Sequence, residues 1–228
     1  MVDHTGYDVT YCYANSNVLK NKLEIKDSGT LLIAEREYSS LRLYELQTHP
    51  IKGSFDLQHL QKIHNYMFQD VYEWAGKLRT VEIAKGNMFC SCNYITSYSE
   101  QIFRALQKDK YLIGMPKGKV IEKVAYYLGE INAMHPFREG NGRTQREFIS
   151  SLAKLNGYEL NFDKVNEKQM IEASIKAFDC VYEPMQNLIQ AIIAPMTKVE
   201  HQEFVNYMTN DNSVLKREFT RLENQLER

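Results

Sequence analysis

The feature that most constrains the fold is a pair of apolar stripes separated by a broken turn. From Lys119 to Met134, the residues Val120, Val124, Tyr127, Leu128, Ile131 and Met134 recur at helical spacing, in a stripe wide enough for a central helix. A second run reaches about Asn156 with Phe148, Ile149, Leu152 and Leu155, and Gly157 stops it. Between the two lies His135-Pro-Phe-Arg-Glu-Gly-Asn-Gly-Arg-Thr-Gln-Arg146. Pro136 forbids simple continuation of the first helix, and the glycines let the chain turn tightly before the second begins near Gly142.

The remaining segments read mostly as helices. Leu32, Ala34, Tyr38, Leu41 and Leu46 predict a helix over 31–46, closed by His49-Pro50. Asp56 is a plausible N-cap for a helix whose apolar positions run from Leu57 through Trp74. Alternation at Leu78, Val81 and Ile83, a turn at Lys85-Gly86-Asn87, then Phe89 and Tyr94 predict a short β-hairpin. Ser97-x-x-Glu100 reads as a capping box for a helix carrying Leu106 and Leu112, closed by Gly114 and Pro116. Further helices are expected over 167–177 and 183–193, the last broken by Pro195. From Thr197 the chain is more polar, with Leu215, Phe219, Leu222 and Leu226 forming a narrow seam. That seam suits packing on another helix, or folding back on the domain itself.

Of 228 residues 43% are hydrophobic, enough to fill the core of one sizeable domain with or without an appendage. Lys and Arg number 28 against 29 Asp and Glu, so overall charge demands neither a nucleic acid nor an anionic membrane. Any phosphate chemistry must come from local groups. Cys12, Cys90, Cys92 and Cys180 have no metal spacing and are expected as free thiols in a reducing compartment. No basic and apolar leader opens the sequence and no run reaches membrane-spanning length. A cytosolic-type protein is expected, which leaves room for export by a specialised secretion system.

The central stretch carries its own chemistry. A glycine-rich turn opening onto a helix N-terminus presents unpaired N–H groups and the positive dipole end, an anion site that a phosphate approaches without a Cβ in the way. Asn141 can add a side-chain amide donor. Arg143 and Arg146, three residues apart, share a helix face and suit successive phosphates. Glu139 is the natural ligand for a Mg2+ bridging phosphate oxygens, and His135 is the group able to accept a proton near neutral pH. Zinc fits poorly, because a His135/Glu139 pair needs an unbroken helix and Pro136 sits inside it, while His59 and His64 lie off one face. The stretch also lacks the spacing and the Lys of a Walker P-loop.

These residues resemble the Fic signature, His-Pro-Phe-x-(Asp/Glu)-Gly-Asn-Gly-Arg-x-x-Arg, at every specified position. "YCYANSNVLKNKLEI", "FQDVYEWAGKLRTVEIAKG" and "EPMQNLI" are also similar to Fic domains of filamentation-type toxins and translocated bacterial effectors, so a Fic domain is expected over 10–196 with a helical extension over 197–228. The resemblance implies an all-α bundle with a small β-hairpin flap, and transfer of AMP from ATP to a Ser, Thr or Tyr hydroxyl of a target protein with release of pyrophosphate. It implies that His135 is the base, that Phe137 anchors the loop, and that Glu139 holds Mg2+. Gly140, Asn141, Gly142, Arg143, Thr144 and Arg146 would bind the nucleotide; Lys85, Gly86, Asn87, Met88 and Phe89 would be the flap that aligns the target by strand-like pairing. Gly142, where Doc-like kinases carry Lys, favours AMP transfer.

Relatives are commonly blocked by a helix bearing (Ser/Thr)-x-x-x-Glu-(Gly/Asn). Here Thr96 and Glu100 have that spacing, but Gln101 follows and the pair reads as part of a helix start. The resemblance therefore implies inhibition at Arg146 by a separate small antitoxin protein. Targets akin to DNA gyrase and topoisomerase IV, or small GTPases, are expected, in a bacterial cytoplasm or in a host cell reached by secretion. Two other readings stand: a relative moving phosphate, UMP or phosphocholine, and a module that binds nucleotide without turnover.

Overall fold

The computed structural model describes residues 8–85 and 87–226. Helix α1 (Ser28–Thr48) starts on Asp27, whose carboxylate accepts from the Thr30 N–H at 2.8 Å, and α2 (Leu57–Phe68) starts on Asp56, which accepts from the His59 N–H at 2.8 Å. The face that α1 buries is not the apolar one the periodicity suggested. Leu31, Glu35, Ser39 and Leu46 point inward, while Leu32, Tyr38 and Leu41 are exposed. The reason lies across the interface, where an arginine of the central loop needs Glu35 and Ser39.

Helix α2 ends at Phe68, well before Trp74, because the Phe68 carbonyl accepts from both Val71 N and Tyr72 N and the chain turns there. Trp74 then stacks on Tyr72 at 4.2 Å between ring centroids. The hairpin is far smaller than the alternation implied: β1 (Ala84–Lys85) pairs with β2 (Asn87–Met88). Gly86, the expected turn residue, lies outside the described residues. Residues 78–83 form no strand, because their backbone groups find scattered partners: the Arg79 N–H donates to the Pro136 carbonyl, the Thr80 N–H to the Tyr11 hydroxyl, and the Val81 carbonyl accepts from the Arg79 side chain.

Helix α3 (Ile95–Lys108) begins directly out of a 3-10 turn at Cys92–Tyr94, so the Ser97/Glu100 capping box does not form; the Ser97 hydroxyl donates instead to the Tyr94 carbonyl at 3.0 Å. It also stops short of Leu112. Lys110, Tyr111 and Leu112 have φ of 51°, 54° and 65°, a left-handed turn that drives Tyr111 and Leu112 into the core. Helix α4 (Lys117–Met134) and α5 (Asn141–Leu155) form the centre, with all six stripe residues of α4 and all four of α5 buried.

Helices α6 (Glu167–Phe178) and α7 (Glu183–Ile192) pack on α4, and α1 and α2 cover the α5 side. A second small sheet joins β3 (Tyr158–Leu160) to β4 (Ile193–Pro195) in antiparallel register. Three-residue strands leave no readable alternation, which is why the sequence signalled only a break at Pro195. Helix α8 (Lys198–Thr209) opens with a Thr197/Glu200 capping box and packs on α5, and α9 (Ser213–Leu226) packs on α8. The seam folds back on the domain: Leu215 is fully buried, Leu222 sits against Gly114, and the Asn212 amide donates to the Gly53 carbonyl at 3.1 Å. Among the described residues no helix is long and apolar enough to cross a membrane.

Candidate active site

The loop between α4 and α5 is built by residues that lock its backbone before any ligand arrives. His135 caps α4 in the left-handed region, φ 46° and ψ 62°, with its N–H donating to the Ile131 carbonyl at 3.0 Å. Phe137 follows, 1% exposed, stacked on the buried His64 ring at 3.9 Å. His64 accepts from the Gly76 N–H at Nδ1 (2.8 Å), so its Nε2–H donates to the Glu139 carbonyl at 3.0 Å. Gly140 reaches φ 79°, and a Cβ there would lie 2.4 Å from the Phe68 ring. Only glycine fits both conditions.

Two expected ligand groups are engaged internally. The Asn141 amide donates to the Phe137 carbonyl at 2.7 Å while its oxygen accepts from the Phe137 N–H at 2.9 Å, so this buried side chain staples the loop. The Thr144 hydroxyl, 1% exposed, donates to the Gly140 carbonyl at 3.0 Å and closes the first turn of α5. An anion also meets open backbone here: the N–H groups of Asn141, Gly142 and Arg143 precede the first intrahelical bond, Thr144 N to Gly140 O at 3.1 Å.

The two arginines differ. Arg143 donates to the Ser39 hydroxyl at 2.7 Å and to Glu35, which also accepts from the Tyr72 hydroxyl, and its guanidinium lies over the Phe68 ring at 4.8 Å. It is held before any phosphate could be. Arg146 has no carboxylate partner among the described residues and curls toward the start of α5, with Nη1 3.3 Å from where a Cβ on Gly142 would be. Burial and the neighbouring Arg143 charge lower its pKa. Glu139 keeps one carboxylate oxygen on the Gly140 N–H at 3.0 Å.

His135 has one ring nitrogen engaged and one free. Its Nδ1–H donates to the Asn132 carbonyl at 3.2 Å, which leaves Nε2 with a bare lone pair. The ring is 7% exposed because Phe89 of the flap stacks on it at 3.8 Å with 13° between planes. Burial first, then the Lys85 and Arg79 charges, push its pKa down to about 3, so the imidazole is neutral. Lys85, Phe89, His135, Glu139, Gly142, Arg143 and Arg146 all line one cavity of about 1050 Å3. It continues along α5 past Glu147, whose carboxyl burial pushes up to about 7. Met88 of the flap is exposed. Among the described residues no cluster of three or more His, Cys, Asp and Glu could hold a metal ion.

Sequence reasoning missed Glu35, Ser39, His64, Phe68 and Arg79. Each meets the loop from tens of residues away, and no local pattern marks such a partner. The capped loop, the open α5 N-terminus and the small hairpin sit in a helical domain of one kind: the chain belongs to the Fic/DOC family, whose model matches residues 54–153. Among particular relatives, the protein adenylyltransferase VbhT of Bartonella schoenbuchensis is 40% identical over 86% of this chain, which spans about two fifths (41%) of VbhT's length. The protein y4lH of Sinorhizobium fredii is 35% identical over 85% of this chain and all (100%) of its own. The N-terminal Fic domain of a VirB-translocated Bep effector from Bartonella quintana, solved with bound ADP, superposes with a TM-score of 0.79 at 28% identity, over 83% of this chain and 97% of that one.

Proposed function

We propose that the chain is a protein adenylyltransferase that moves AMP from ATP to a Ser, Thr or Tyr hydroxyl of another protein. The observation that carries this reading is the convergence, in one cavity, of a proton-free His135 Nε2 with the open N–H groups of α5 and Arg146, which has no carboxylate partner among the described residues. His135 Nε2 takes the hydroxyl proton as that oxygen attacks the α-phosphorus; the bond to the α,β-bridging oxygen breaks and pyrophosphate leaves. The backbone of Asn141, Gly142 and Arg143 receives phosphate oxygens, and Arg146 meets the terminal phosphate. A pKa of about 3 would make a weak base, but a triphosphate beside the ring supplies the negative charge that raises it.

Glu139 fits a magnesium ion: its carboxylate lines the cavity with one oxygen on the Gly140 N–H, and one carboxylate suits an ion that completes its shell with phosphates and water. Bound there, the ion would neutralise phosphate charge. Lys85 to Phe89 form the flap whose edge aligns the target segment. Arg146 is the point at which a small antitoxin acts in trans, a reading supported by the absence of any carboxylate on it among the described residues. The target is a gyrase-like or topoisomerase IV-like protein or a small GTPase, in a bacterial cytoplasm or in a host cell. The test is incubation of the chain with α-labelled and γ-labelled ATP and a bacterial lysate. Protein label from the α position alone supports AMP transfer; label from γ means a kinase; label from neither means a binding module.

A further inference from the structure

We propose that Arg79 is a positioning residue for transfer, the side chain that holds the flap edge and the His135 base in a common frame; this rests on the adenylyltransferase reading above. Arg79 is among the most deeply buried side chains of the protein, 2% exposed. Its Nε–H donates to the His135 carbonyl at 2.8 Å, Nη1 donates to the Val81 carbonyl at 2.8 Å, and Nη2 donates to the Cys90 carbonyl. Val81 lies on the chain entering the flap and Cys90 on the chain leaving it. One planar group therefore clasps both legs of the hairpin to the residue that carries the base.

The surrounding bonds share that purpose. The Arg79 N–H donates to the Pro136 carbonyl at 2.9 Å and the Cys90 N–H to the Ala133 carbonyl at 3.0 Å, so each leg is also sewn to the α4 end by backbone. Glu82 closes the outer side: its carboxylate lies 3.6 Å from Arg79 Nη1 and accepts from the Ser91 hydroxyl at 2.6 Å and the Cys92 N–H at 3.1 Å. Three carbonyls facing one point need a rigid fork of donors, which guanidinium has and ammonium lacks. The end of α4 also favours a cation. Phe89, which stacks on the His135 ring, immediately precedes Cys90, so the Cys90 carbonyl clasp sets where that ring sits.

Arg79→Lys and Glu82→Gln in the full chain test this, beside wild type and His135→Ala. The readouts are transfer of α-labelled AMP to lysate proteins, affinity for a non-hydrolysable ATP analogue, and amide exchange of residues 84–90. Expected for Arg79→Lys is a loss of about 100-fold in transfer, the scale of a misplacement near 1 Å, with analogue affinity within about twofold and flap amides deprotected. The loss falls on kcat and on KM for the target, with KM for ATP unchanged. Glu82→Gln should move the same quantities by about 3- to 10-fold. Wild-type transfer by Arg79→Lys, or joint loss of transfer and analogue binding, overturns the proposal. Should Arg79→Lys not fold, Glu82→Gln decides: unchanged transfer with unchanged flap exchange overturns it. Equal transfer by wild type and His135→Ala, or none by wild type, sinks the adenylyltransferase reading instead and takes this proposal with it.

Discussion

Gly140→Ala is the most informative single change, because two separate costs meet at one atom. The backbone at φ 79° is a left-handed conformation that costs an alanine about 1–2 kcal/mol. The added methyl would lie 2.4 Å from the edge of Phe68, a ring with no exposed surface that lies under Arg143 and cannot retreat, so overpacking adds about 1–3 kcal/mol. Together these remove about 2–5 kcal/mol from a domain whose whole stability is about 5–15 kcal/mol. Urea unfolding of wild type, Gly140→Ala, Phe68→Leu and the double variant separates the two. Trimming the ring relieves the clash and leaves the backbone cost, so the double variant should be more stable than the sum of single effects by about 1–3 kcal/mol. A loss below about 1 kcal/mol in Gly140→Ala, or strict additivity in the cycle, would refute the account of why a glycine stands there.

Four further outcomes are expected. His135→Ala abolishes transfer while affinity for an ATP analogue, read by calorimetry, is kept, because the imidazole is no phosphate ligand. Arg146→Ala weakens the same analogue about 10-fold or more, the scale of a lost charge-assisted hydrogen bond, and also loosens control by an antitoxin in a transfer assay. Glu35→Ala removes the acceptor shared by the half-buried Arg143 and the buried Tyr72 hydroxyl and costs about 1–3 kcal/mol in urea melts. Stability also falls on acidification. His59 and His64 are buried neutral with pKa values pushed down to about 4 and about 3 by burial, so the stability they confer is whole above pH 6.5 and is lost as pH drops toward those values. An unfolding midpoint unchanged between pH 7 and pH 5 would contradict this.

The central helices and their loop were legible in the sequence because each is local: a stripe of period 3.6, a proline, a glycine turn. The open N-terminus of α5 could be read from the same twelve residues. Less visible was how the loop's own side chains divide their work. Asn141 and Thr144 look like donors on paper, yet both close hydrogen bonds within a few residues of themselves, since a buried turn must satisfy its backbone first. Glu35 reads as surface charge on α1 until Arg143, 108 positions later, is placed beside it. The hairpin was overestimated for a related reason: alternation at Leu78, Val81 and Ile83 reports extended chain, and the Arg79 side chain, not a partner strand, takes the Val81 carbonyl.

His135 stands where the helix has already turned left-handed, and that has a bearing on how an inert form should be made. A substituent there must tolerate φ 46°, which asparagine accepts more readily than alanine does. A chain carrying Asn at that place would keep the entry geometry of the motif while lacking a proton acceptor, and so would be the better bait for holding an unreacted target and its nucleotide together long enough to be seen.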